Sequence, residues 1–153
     1  MIRLEKYRVW LLLAVLTIFG TASFASCSSN EDNATEQRKI STIADMVWAF
    51  CQANPGGFTL DIRTMMVPTE GIAVSYAATQ NSHSRDQLHK VVSHALQHDG
   101  YVSGWLNTEN GLYYFDSTKL FPEDQLEDAL QFGKENGQTS VYILSTGTDV
   151  YIN

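Results

Sequence analysis

Four histidines, His83, His89, His94 and His98, crowd into a span of 16 residues, a density that raises metal chelation first. A helical wheel over this stretch weakens that reading. His83, His94 and His98 share a polar side with Gln87 and Lys90, and His89 sits well round from them. His83 and His94 would lie about 16 Å apart along a helix axis, too far to hold one ion. Only His94 and His98, at i and i+4, could chelate together. Their H-x-x-x-H spacing lacks the glutamate of the zincin signature, and Asp99 falls toward the apolar side as a poor third ligand. A solvated polar face is the expectation, with no metal and no cofactor.

Other nucleophiles and acids are scattered. Cys51 falls on the apolar stripe of a predicted helix, which suits an inert buried thiol. Asp116 closes the aromatic run Leu112-Tyr113-Tyr114-Phe115 and is the carboxylate to watch, although a turn-capping role would explain it equally. There is no G-x-S-x-G, and no glycine-rich loop leads a strand into a helix, so nucleotide binding has no support.

The densest aromatic stretch runs from Trp105 to Asp116. In a hairpin, alternate residues face opposite sides. Trp105, Tyr113 and Phe115 therefore cannot all be buried together with Tyr101 and Tyr114 unless both faces are covered. Trp105, Tyr113 and Tyr114 are accordingly the candidate partner-binding residues, on an aromatic patch of the kind that carries binding hot spots. The alternative is a helix over one face and only partial exposure of the other.

The elements that must position these residues are legible from the chain. Arg3, Lys6 and Arg8 precede an apolar run from Val9 to Phe19, a small-residue segment and then Cys27. This order predicts a secretory signal peptide over residues 1–26, because the 11-residue apolar run is too short to span a bilayer as a permanent helix. Phe24-Ala25-Ser26-Cys27 resembles the lipobox of bacterial lipoproteins. The resemblance implies lipid on Cys27 and anchoring in a membrane of the cell envelope, either periplasmic or surface-exposed. Phe24 departs from the leucine common at the first lipobox position, and ordinary signal-peptidase cleavage at a small residue is the alternative. The polar stretch 27–35 reads as a lipid-anchored tether. Its Glu31-Asp32 pair loosely resembles the acidic signals that direct some lipoproteins to the cell surface.

Residues 36–153 read as one α+β domain. Ile40, Ile43, Ala44, Val47 and Cys51 predict a helix over 36–52, with Thr35 as cap and Asn54-Pro55-Gly56-Gly57 as stop. Strands are expected over 58–63 and 72–79. Ser84 should cap a helix over 85–98, ended by Gly100. A hairpin is predicted from 101–106 and 112–117, a helix after Pro122 closed by Gly137, and a last hairpin from 140–145 and 150–153 turning at 146–149. The order α-ββ-α-ββ-α-ββ predicts a mostly antiparallel sheet with helices packed on it. About half the chain, from Gly71 to Ile152, resembles small proteins of bacterial mobile elements and Bacteroidota-type genomes. That likeness rests on residues 104–116 and 126–138. These proteins have no assigned activity, so the likeness transfers no site and implies only the strand-helix-strand reading and a bacterial source.

Charge narrows the function classes. The chain carries 10 basic and 17 acidic residues, net −7; loss of residues 1–26 would leave 7 against 16, net −9. Such a surface repels phosphate backbones and anionic headgroups, so nucleic acid is not expected as a partner and membrane contact should come through the lipid. With no catalytic constellation in view, the expectation is a non-enzymatic protein-interaction module of the envelope. One form of it is an immunity-type inhibitor, whose acidic surface captures a basic toxin. The competing expectation is an envelope hydrolase or cell-wall enzyme assembled from distant residues such as Asp116, His89 and Cys51.

Overall fold

The computed structural model describes residues 28–153. The predicted signal peptide and Cys27 lie outside the described residues. Residues 28–36 form a unit apart from the body, Gln37–Asn153. Of that unit, the described residues are helical and, from Glu31, exposed.

Helix α1 runs from Ser28 to Ala53. It therefore starts upstream of the cap expected at Thr35, where an unstructured tether was predicted. Of residues 28–35 only Glu31 and Ala34 are strong helix formers, so these exposed turns are carried by propagation from the packed helix beyond Ile40, which adds a backbone bond for each residue fixed. Burial begins at Ile40 and continues through Ala44, Val47 and Cys51, the predicted stripe. Strand β1, Phe58–Asp61, follows, then β2, Ile72–Ser75. β2 stops four residues short of the predicted Thr79. From there a single 3-10 turn, Ala77–Thr79, takes over, and the Thr79 hydroxyl accepts from the Ser117 amide at 2.9 Å, a bond a longer β2 would have made with its backbone.

Helix α2, Arg85–Gln97, is capped as expected by Ser84, and Gln87 completes a capping box. Leu88, Val91, Val92 and Ala95 are its buried face. It ends at Gly100, whose φ of +84° suits glycine; a Cβ there would also lie 2.6 Å from the Arg63 guanidinium. Arg63 bonds the last carbonyls of this turn, those of His98 and Asp99, at 2.9 Å. Strands β3, Tyr101–Asn107, and β4, Leu112–Phe121, form the predicted hairpin. A 3-10 turn, Glu123–Gln125, stands where a helical first turn was expected, and α3 then spans Leu126–Glu135. β5, Ser140–Ile143, and β6, Thr148–Tyr151, close the chain. Their turn falls two residues earlier than predicted, with the Gly147 amide bonding the Ile143 carbonyl at 2.9 Å.

All pairings in the six-stranded sheet are antiparallel, in the order β1-β3-β4-β2-β5-β6. The α+β class and the element order are as read from the sequence. The strand order holds one surprise: β1 and β2 are consecutive in the chain but separated by the β3–β4 hairpin. The described helices pack on one face of the sheet. Leu60, Val102 and Phe115 join α1 and α2 in one buried cluster; Ile72, Val74, Phe121 and Val141 join Ala129 of α3 in another. Gly104 allows this packing, because a Cβ there would lie 2.6 Å from Phe58 and 2.7 Å from Tyr113. No helix among the described residues is long and apolar enough to cross a membrane.

Candidate functional site

Among the described residues, no helix lies on the opposite sheet face. Because side chains alternate, the residues between those of the buried clusters must lie there. Register places Trp105 opposite Tyr114 and Ser103 opposite Asp116, all on this open face. Tyr113 and Phe115 point the other way, into the helical layer.

Trp105 and Tyr114 stack at 4.8 Å with planes 17° apart, and Trp105 remains 44% exposed. The His83 ring stands edge-on to Tyr114 at 4.1 Å, brought there by the segment after β2, whose Ser82 carbonyl accepts from the Phe115 amide. His83 Nδ1 is buried and finds no hydrogen-bond partner among the described residues. Asp116 lies beneath, 7% exposed. Its burial pushes the carboxyl up to about 6, against the lowering effect of hydrogen bonds from Trp105 and Ser75. Beside it runs a chain of hydroxyls: Thr59 to Ser103 at 3.0 Å, and Thr118 to Ser103 at 2.9 Å. The face thus has a satisfied polar floor and an aromatic surface.

Tyr101, Tyr142 and Tyr151 fall on the same face by register, with Tyr142 41% and Tyr151 73% exposed. Asp61 and Asp149 share it. The tyrosines of β5 and β6 were not among the residues singled out from sequence; the alternation Ser140-Val141-Tyr142-Ile143 turns Tyr142 away from Val141 but does not say which tyrosines of other strands it joins.

The open-face strand positions carry Asp61, Asp116 and Asp149 as their only charged residues, while the helices carry charges of both signs. Among the described residues, Arg38, Lys39, Arg85, Lys90 and Lys134 lie on helices, and Arg63 bonds the end of α2. Lys119 sits on the helix-facing side of β4, 4.7 Å from the Phe121 ring and 5.1 Å from that of Phe132. None of these seven occupies an open-face strand position.

The structure therefore brings Trp105 and Tyr114 together and separates Tyr113 from them. Tyr113 packs against Phe58 and Phe115 and donates to the Asn54 carbonyl at 3.1 Å. Burial raises its phenol, assisted by the neighbouring Cys51 thiol. Cys51, buried in the helical layer, is likewise raised by burial, with the Tyr113 hydrogen bond opposing. Asp116 and Cys51 thus stand on opposite sides of the sheet. His89 stays on its own helix, its Nδ1 3.2 Å from the Arg85 carbonyl.

His94 and His98 are parallel, stacked at 3.9 Å, and both edge Tyr76, whose hydroxyl is hydrogen-bonded to Asp99. Among the described residues no group of three or more His, Cys, Asp or Glu could hold a metal ion. Burial lowers His94 from its ordinary 6.5, as do His98 and Lys90 nearby, with Asp99 acting against them. The neutral imidazole is therefore the folded form. Its contribution to stability is complete above pH 6.5 and is lost as pH falls through that unfolded value toward the depressed folded one. We expect the difference in urea midpoint between the wild type and His94→Gln to narrow as pH falls below 6.5.

Comparison with protein families, with curated proteins and with solved structures finds no match to the chain, and the site rests on its own geometry.

Proposed function

We propose that this chain is a lipid-anchored protein of the bacterial envelope, held by Cys27, that docks a protein partner through its open sheet face. The observation that carries the docking is the Trp105–Tyr114 stack, with Trp105 exposed and Tyr114 half-buried, on a sheet face that no helix among the described residues covers. Exposed tryptophan and tyrosine on a rigid platform contribute large contact area at low entropic cost, and this is where binding energy concentrates. The separation of Asp116, His89 and Cys51 favours docking over the hydrolase reading. Capture of a toxin by an immunity-type inhibitor is one form such docking can take.

Photo-cross-linking in cells tests the docking. A cross-linkable residue placed at Trp105 or Tyr142 should trap one discrete protein, and the same residue at Lys90 on α2 should not. Trp105→Ala with Tyr114→Ala should lower the yield by about tenfold or more, as expected for hot-spot residues, whereas Tyr113→Phe should retain it. Equal trapping from both faces, or none from either, overturns the docking. Palmitate labelling tests the anchor: incorporation into the wild type should disappear in Cys27→Ala, and equal labelling of the two rejects it.

A further inference from the structure

Resting on the docking reading, we infer that the partner presents a cationic segment, and that an arginine of it seats on the Trp105 ring. The sign of the charge on the open face, together with its aromatic surface, carries this. The face holds five aromatic residues and three aspartates at its strand positions and no Lys or Arg, so its formal charge is negative only. Here a basic partner meets no repulsion, and an acidic one meets no compensation.

The geometry at Trp105 selects the kind of cation. Tyr114 occupies one face of the indole, and with 44% of the residue exposed the other is open to a ligand. Asp116 lies beneath the pair on the same face, 7% exposed, and places a carboxyl under the ring that adds to its attraction for a cation. Guanidinium is planar, weakly hydrated and stacks on such a ring, while an ammonium must shed a tighter hydration shell to do so. Arginine is therefore favoured over lysine, and tryptophan is the better of the two aromatic platforms. The remaining aspartates, Asp61 on β1 and Asp149 on β6, lie toward the two edges of the sheet, where they can receive further cations of the same segment.

The test uses the full chain in neutral detergent with fluorotryptophan incorporated, so that Trp105 reports by its own fluorine resonance, identified through Trp105→Phe. The probes are short Gly/Arg, Gly/Lys, Gly/Gln and Gly/Glu peptides and a neutral oligosaccharide. The Gly/Arg peptide should shift the Trp105 signal saturably, the Gly/Lys peptide should bind several-fold more weakly, and the others should leave the signal in place. Added salt should weaken the Arg complex. Tyr114→Leu should cost roughly tenfold in affinity by loosening the platform, and Tyr114→Phe should cost little. The helix-side pair Glu127→Gln with Asp128→Asn should change nothing. An unmoved Trp105 signal overturns the inference. So does an equal response to the Gln peptide, a response to the oligosaccharide alone, or equal weakening by the helix-side pair, which would mark diffuse attraction. If the cellular cross-link at Trp105 persists while the Arg peptide fails, docking stands and the cationic partner falls; if both fail, docking falls with it.

Discussion

Asp116→Asn is expected to stabilise the protein at neutral pH, against the usual direction of substitutions at buried positions. The folded carboxyl titrates at about 6 rather than 3.8, because burial penalises its charged form more than Trp105 and Ser75 compensate it. A raised folded value means that ionisation favours the unfolded chain. The cost is absent below pH 3.8, grows as pH rises toward 6, and is complete above that, at on the order of 3 kcal/mol. Asparagine keeps an oxygen for the Trp105 and Ser75 bonds and removes the charge. Urea denaturation at neutral pH should show the gain, and it should fade near pH 4. A gain that persists unchanged into acid would place its origin elsewhere than in ionisation. A group that costs stability yet sits beneath the stack topped by exposed Trp105 fits a surface kept for binding rather than for folding.

One position earlier the sign reverses. Phe115→Ala should destabilise by about 3–5 kcal/mol, the range for truncating a fully enclosed aromatic side chain. Phe115 is 0% exposed, packs against Trp48 of α1 at 5.9 Å and Tyr113 at 5.2 Å, and joins the cluster that binds α1 and α2 to the sheet. A loss that large approaches the whole stability of a domain this size, so the variant should be unfolded at modest urea or partly unfolded without it. Calorimetric melting checks this, and a fall in midpoint of only a degree or two would mean that the cavity collapses around Trp48. Two neighbours on one strand thus carry opposite effects because the pleat sends one into the helical layer and the other to the open face.

That alternation explains what could be read before the structure and what could not. Ser84, Gly100 and the Asn110-Gly111 turn mark element ends through local backbone chemistry, and each stands where the sequence put it. The division of Trp105, Tyr113 and Tyr114 depends on register instead. The four residues between Asn107 and Leu112 pair Trp105 with Tyr114, and a slip of one would have paired it with Tyr113. Sequence alone does not determine which residues of the loop join the strands, so Tyr113 was grouped with residues it does not meet. The recruitment of Tyr142 and Tyr151 depends on a longer-range fact. They share the face of Trp105 only because β2 reaches across to pair with both β4 and β5. No local pattern records that choice. The α1 extension to Ser28 was missed because composition suggested a tether, and propagation from the packed turns beyond Ile40 prevailed over weak local propensity.

The position of β2 has a consequence for motion. It is the one strand that joins the two halves of the sheet, pairing along four residues with β4 but only two with β5, Ile72 with Ile143 and Ala73 with Tyr142. The cluster under α3 is also separate from the larger one under α1 and α2. The molecule can therefore open in pieces, with α3, β5 and β6 parting along the β2–β5 seam while the β1-β3-β4 core stays closed. Amide protons of β5 would exchange with solvent ahead of those in β4, and the tyrosines of the last hairpin would move relative to Trp105. A partner touching both would then act as a clamp across the seam, holding closed the weakest line in the sheet.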